Sequence, residues 1–188
     1  MAVVLLVGPP GAGKGTQAAR ISEKYGWRWV STGDVLRSNI KEGTELGKKA
    51  KGFMDEGNLV PDSLLVDMLK NELEANKDGM TLLDGYPRNH AQAETLASLG
   101  PIGEVKLALH LDVDASILES RILKRAEIEG RSDDTPEKLK NRIAIYEKDT
   151  APIISYYKEK DVYKVVDADS DVDTVFTRIE AVVEQSSL

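Results

Sequence analysis

"VVLLVGPPGAGKGTQ", residues 3–17, decides how this chain folds. Five apolar residues with the composition of a buried strand break into four glycines and two prolines, then pass at once into helix-forming sequence around a single lysine. A surface turn needs one or two glycines, so this density points to a ligand that the backbone approaches closely. In Gly8-Pro9-Pro10-Gly11-Ala12-Gly13-Lys14 the spacing G-x-x-x-x-G-K follows a predicted strand and precedes a predicted helix running from Lys14 to about Tyr25. That is the context of a phosphate-binding loop. Glycines at positive φ let successive N–H groups form an anion nest at the positive end of a helix, and Lys14 adds a point charge for the β and γ phosphates. Gly15 stands where the usual pattern has a magnesium-holding Ser or Thr, and Thr16 comes next.

Outward from the loop, apolar runs rich in β-branched residues recur at residues 2–7, 27–31, 80–84, 105–113 and 162–166. Helical patterns lie between them. The clearest is the last, where Val172, Val175, Phe176, Ile179, Val182 and Val183 fall on one face at helical spacing. Strand and helix alternate, and near-continuously apolar strands suit a parallel sheet covered on both faces, so the expected fold is an α/β sandwich wound in βαβ units. Residues 31–60, polar and glycine-punctuated, and residues 124–134, almost wholly charged, fit the alternation poorly and are expected to be insertions at one edge of the sheet.

At 188 residues the chain is sized for one domain, and 41% apolar with 30% charged residues is ordinary for a globular protein. A formal charge of -7 argues against a general binder of nucleic acid or anionic membrane, so any anionic ligand must be met by a local basic cluster. With no cysteine and two separated histidines, His90 and His110, neither a disulfide nor a zinc site is expected. The opening "MAVVLLV" lacks a basic lead-in and is too short to span a bilayer, so a cytoplasmic address is the expectation.

A triphosphate site alone fits a switch, a motor, a ligase or a kinase. In "TLLDGYPRNHAQ", residues 81–92, an apolar run ends in Asp84, where a carboxylate can face the loop and bind magnesium directly or through water. The "NKDG" at residues 76–79 imitates the guanine-reading N-K-x-D but has its aspartate one place early, which excludes that class of switch. Arg37, Arg88, Arg121, Arg125, Arg131 and Arg142 each fall near a strand end or an insertion, and Arg121, Lys124 and Arg125 share one predicted helix face. On an acidic protein such clustering fits neutralisation of a transferring phosphoryl group.

"GPPGAGKGTQ", "STGDVLR" (31–37), "GNLVPD" (57–62), "DGYPRNHAQ" (84–92) and "GRSDD" (130–134) together resemble, in order and over nearly the whole chain, the nucleoside monophosphate kinases, and among them the adenylate kinases. The "GKGT" form, with glycine after the lysine, is that family's own. The resemblance implies a P-loop NTPase fold, three layers α/β/α around a five-stranded parallel sheet, with two small mobile inserts: residues 31–60 over the nucleoside monophosphate and residues 124–134 as a short lid without zinc. It implies that Gly11, Ala12, Gly13, Lys14, Gly15 and Thr16 wrap the ATP phosphates, with Arg121 beside the adenine and the main chain of Ser170 touching the base. Thr32, Arg37, Asn58, Leu59, Val60, Gly85, Tyr86, Pro87, Arg88 and Gln92 would hold AMP. Arg125 would act on the ATP side, Arg131 and Arg142 would bridge the acceptor phosphate and the transfer site, and Asp133 and Asp134 would lock those arginines on closure. Catalysis would then rest on Lys14, Arg88, Arg125, Arg131 and Arg142, with magnesium carried on ATP and Asp84 holding it through water.

The Gln92 amide offers one acceptor and one donor, which suits the N6–H and N1 or N7 edge of adenine. Pyrimidine-specific relatives have asparagine there and small residues at Thr32. The expected reaction is Mg·ATP + AMP ⇌ 2 ADP by in-line transfer, needing no protein nucleophile because the AMP phosphate is already a dianion near neutral pH. The two inserts would exclude water until both nucleotides are bound. A UMP/CMP kinase and a non-catalytic adenine-nucleotide sensor are the alternatives, and a monomer is what the resemblance implies.

Overall fold

The strand Ala2–Val7 (β1) is buried along its whole length, and the other strands are placed from it. The computed structural model describes residues 2–129, 135–186 and 188. β1 pairs with Met80–Asp84 (β3) on one side and Val105–Asp112 (β4) on the other. Arg28–Ser31 (β2) lies outside β3, and Tyr163–Asp167 (β5) lies outside β4. The sheet has five strands in the order β2-β3-β1-β4-β5, all parallel. In chain order the helices are α1 Lys14–Tyr25, α2 Thr32–Glu42, α3 Glu45–Asp55, α4 Asp62–Ala75, α5 His90–Ser98, α6 Ala115–Glu129, α7 Pro136–Ile145, α8 Ile153–Glu159 and α9 Val172–Gln185. A 3₁₀ turn occupies Gly100–Gly103, and α7 runs directly into a π-helical turn, Tyr146–Thr150.

The strands read as unbroken apolar runs because both faces are covered. Side chains alternate across a strand, so Val4, Leu6, Leu109 and Leu111 pack with Ile21 of α1 and Phe176 and Ile179 of α9. Val3, Leu5, Val7 and Ala108 pack on the opposite face with Leu69 of α4, Leu96 of α5 and Ile153 of α8. The expected α/β sandwich is therefore present, and the five expected strands agree with those observed to within a residue at most ends. Trp27 precedes β2, buried in the core and stacked on Tyr25. Val172, expected on the buried face of α9, is 47% exposed. It is the first residue of the helix, and it lies on the rim of the main cleft instead of under the sheet.

Residues 31–60 hold two helices packed on each other. Ser31 caps α2 by accepting from Asp34 N–H, and Thr44 caps α3 by accepting from Gly47 N–H. Gly47 lets the helices close: a Cβ there would sit 2.1 Å from the Asn39 carbonyl oxygen. Thr135 caps α7 in the same way, accepting from Lys138 N–H. No helix among the described residues is long and apolar enough to cross a membrane.

Leu109, fully buried on β4, should cost about 3 kcal/mol on truncation to alanine, through lost transfer energy and the cavity left behind. Val165→Ala, on the exposed face of β5, should cost under about 0.5 kcal/mol. Urea unfolding of the two variants checks the assignment of inside and outside, and equal losses would contradict it.

Candidate active site

β1 ends at Val7, and the loop that begins at Gly8 turns under α6. Gly8, Gly11 and Gly13 have φ of +154°, +87° and +88°. At Gly11 the requirement is steric as well as conformational, since a Cβ would lie 2.9 Å from the Leu118 carbonyl oxygen and 3.1 Å from Ile122 Cγ1. Gly13 caps α1 without a side-chain hydrogen bond, so the first turn of that helix faces the cleft with its N–H dipoles available to an anion. Lys14 Nζ donates to the carbonyl oxygens of Gly8 at 2.8 Å and Pro9 at 2.9 Å. Burial, the largest influence, brings the Lys14 pKa down to about 8, and the charges of Arg88, Arg142 and Arg125 push the same way against the opposing pull of Asp84.

A cleft of about 790 Å³ opens above this loop. It brings together Gly11, Ala12, Gly13, Lys14, Gly15, Thr16, Arg121, Arg125 and Ser170, the set for which the resemblance implies contact with ATP, with Asp84 at the carboxyl end of β3. Arg121 Nη2 donates to the carbonyl oxygens of Ala168 at 3.1 Å and Ser170 at 3.4 Å, which ties α6 to the loop after β5.

A second pocket adjoins the cleft. Thr32, Arg37, Asn58, Leu59, Val60, Gly85, Arg88, Gln92 and Arg142 line it, together with apolar Leu36, Met54 and Leu65. Arg37, Gly85, Arg88 and Arg142 line both cavities. Thr32, buried at the start of α2, donates its hydroxyl to the Gly85 carbonyl at 3.0 Å. Arg37 pairs with Asp34 at 2.5 Å. The loop after α3 meets α7: Asn141 Nδ2 donates to the Glu56 carbonyl at 3.0 Å and to Asn58 Oδ1 at 3.2 Å. Pro87 lines a third cavity, which shares Lys14 with the cleft and Arg88 and Arg142 with both others, whereas Tyr86 turns its ring into the core among the residues that pack under α4, α5 and α8. Arg131, Asp133 and Asp134 lie outside the described residues.

Arg88 is held by its own backbone. Its N–H donates to Gln92 Oε1 at 2.6 Å, its carbonyl accepts from Thr150 Oγ1 at 2.7 Å, and its Nε donates to the Gly85 carbonyl at 2.8 Å. Thr150 belongs to the π-helical turn. Tyr146, at the other end of that turn, hydrogen-bonds His110 Nε2 at 3.1 Å, and His110 Nδ1 meets the Tyr163 hydroxyl at 2.8 Å. Burial on β4 is the main reason the His110 pKa is lowered, with Lys14 and Lys158 adding to it and Asp112 opposing.

Thr150 and His110 were not identified from sequence as parts of the site, nor were Trp29, Asp34, Leu36, Met54 and Leu65. Thr150 and His110 act through partners 62 and 36 residues away, which no local pattern records. Asp34 carries a signal in retrospect, an acid one turn before Arg37 on the first turn of a helix. The arrangement can grip two anions, one on the loop amides and Lys14 and one in the adjoining pocket, and bring them together at Arg88 and Arg142.

The family model described as Adenylate kinase matches residues 6–162. Curated relatives named adenylate kinase include those of Phocaeicola vulgatus, 45% identical over 97% of this chain and 98% of that protein, and of Kocuria rhizophila, 45% identical over 98% and 100%. The adenylate kinase of Methanosarcina acetivorans is 40% identical over 96% of this chain and 97% of its own length. The likeness spans nearly the whole chain, and the chain belongs to the adenylate kinase family of phosphotransferases.

Proposed function

We propose that this chain transfers the γ-phosphoryl group of Mg·ATP to AMP, reversibly, giving two ADP. The observation that supports it is the sharing of Arg88 and Arg142 between the phosphate-loop cleft and the second pocket. A group passing between two bound nucleotides must cross that junction. ATP occupies the cleft with its phosphates on residues 11–16 and its base toward Arg121 and Ser170. AMP occupies the second pocket, with its base near Gln92 and Val60 and its phosphate toward Arg37, Arg88 and Arg142. Both sites are built from one chain, which favours a monomer as the working unit.

Adenylate kinases work on Mg·ATP, and the residues present fit such a metal: the Asp84 and Asp34 carboxylates line the cleft together with the phosphate loop. Asp84 would hold the ion through water, where it would neutralise charge on the β and γ oxygens. The chain's own contribution is position and charge. Lys14 follows the transferring group, Arg88 and Arg142 stabilise its equatorial oxygens, and Arg125 stands on the ATP side. Arg131, with Asp133 and Asp134, completes the set in the proposed lid. No side chain needs to take a proton, because the AMP phosphate attacks as a dianion. Residues 31–60 and 124–134 shut out water, which would otherwise accept the phosphoryl group.

Measuring ADP formed from ATP with AMP, CMP or UMP as the sole acceptor tests the reading, with AMP expected to be much the best. Lys14→Ala and Arg88→Ala should each lower kcat by about two orders of magnitude or more while the protein stays folded. Activity within a few-fold of the parent would contradict the roles assigned.

Phosphate oxygens favour the charged form of Lys14, so the bound pKa lies above the value of about 8 held in the empty cleft. Between those two values binding takes up a proton. ATP affinity should therefore be flat below about pH 7 and fall above pH 8, by up to about tenfold per pH unit. Calorimetry at pH 8.5 in two buffers of different ionisation heat measures the uptake directly, and the uptake should vanish in Lys14→Met. No uptake in the parent protein would refute the electrostatic description of Lys14.

A further inference from the structure

Gln92 is 1% exposed, yet it lines the second pocket, so the way its carboxamide faces is set by the protein. Asn89 Oδ1 caps α5 by accepting from Gln92 N–H at 2.8 Å and fixes the backbone. At the far end of the side chain, Oε1 accepts from Arg88 N–H at 2.6 Å and Nε2 donates to Asp62 Oδ1 at 2.5 Å. A backbone N–H can only donate and a carboxylate can only accept, so turning the amide over would place donor against donor and acceptor against acceptor at once. What is left for a ligand is one N–H and one oxygen lone pair, in a fixed order.

We infer that Asp62 is a specificity-positioning residue: together with the Arg88 N–H, its carboxylate sets which edge of Gln92 donates and which accepts, and so which purine the pocket takes. The inference rests on the reading of this pocket as the AMP site. Adenine offers an acceptor at N1 beside a donor at N6, complementary to the N–H and oxygen left on Gln92. A 6-oxopurine offers N1–H beside the O6 acceptor, the reverse order. A buried site built to pair one pattern rejects the other because its own polar groups go unpaired. Asp62 reaches this place as the first residue of α4, so the helix that covers one face of the sheet also orients the base reader. Its charge is felt by neighbouring Tyr86, whose pKa is pushed up to about 12, by burial first and by Asp62 second.

The test compares kcat/KM for AMP and for IMP, with Mg·ATP saturating, in the parent, Asp62→Asn and Asp62→Glu. Asparagine is nearly isosteric but can present a donor or an acceptor, so one of the two constraints on the amide is lost and only the Arg88 N–H still opposes its inversion. The expected result for Asp62→Asn is an AMP-over-IMP preference narrowed by about tenfold, carried by KM for the monophosphate, with KM for ATP unchanged. Asp62→Glu keeps a group that only accepts and should recover most of the preference. An unchanged preference in Asp62→Asn, or equal losses on AMP and IMP, would show that Asp62 merely supports the fold and would overturn the inference alone. A parent protein that makes no ADP from ATP and AMP would overturn the reading of the site and this inference with it.

Discussion

Positive charge gathered where it is uncomfortable is the constraint on which the rest of the structure depends. Burial is the first influence that presses Lys14 toward its neutral form, and Arg88, Arg142 and Arg125 at the carboxyl edge of the sheet add to it against the opposing pull of Asp84. Bringing like charges together in a half-buried cleft costs stability, and the cost is tolerated where a ligand of opposite charge belongs. Phosphate groups turn that cost into binding, and the gain is largest when negative charge is greatest on the atoms in transit.

The scaffold supports three of those cations, Lys14, Arg88 and Arg142, from behind. The Lys14 ammonium is anchored by two carbonyl oxygens of its own loop. Arg88 is clamped on its backbone from α5 and from the π-helical turn, and that turn is tied through Tyr146 and His110 to the middle of the sheet. Arg142 stands on α7, which touches the loop at the end of the first insert through Asn141. The cleft and the second pocket thus share supports as well as arginines, a geometry suited to the proposed assembly of a reacting centre only when both are filled.

Much of this was legible in the chain, for physical reasons. The parallel sheet announces itself because strands covered on both faces must be apolar throughout, as in β1 and β4. The loop announces itself by glycines at fixed spacing, which its positive φ angles demand and which, at Gly11, close packing against α6 demands as well. Residues 31–60 were read from sequence as an insertion and not as α2 and α3, since these helices bury few residues. The supports were least visible. Thr150, His110 and Asp62 do their work across long sequence separations, and Asp62 reads locally as nothing more than the acidic start of a helix. Lid residues Arg131, Asp133 and Asp134 remain an expectation from resemblance to the family.

Titration with a mimic that joins two adenosines through five phosphates tests the central claim most directly, that two nucleotides are held end to end across Arg88 and Arg142. The account predicts one molecule bound per chain, far more tightly than ATP, with affinity lost both on changing Lys14 in the loop and on changing Thr32 in the second pocket. Two molecules per chain, or an affinity no better than that of ATP and indifferent to Thr32, would contradict it.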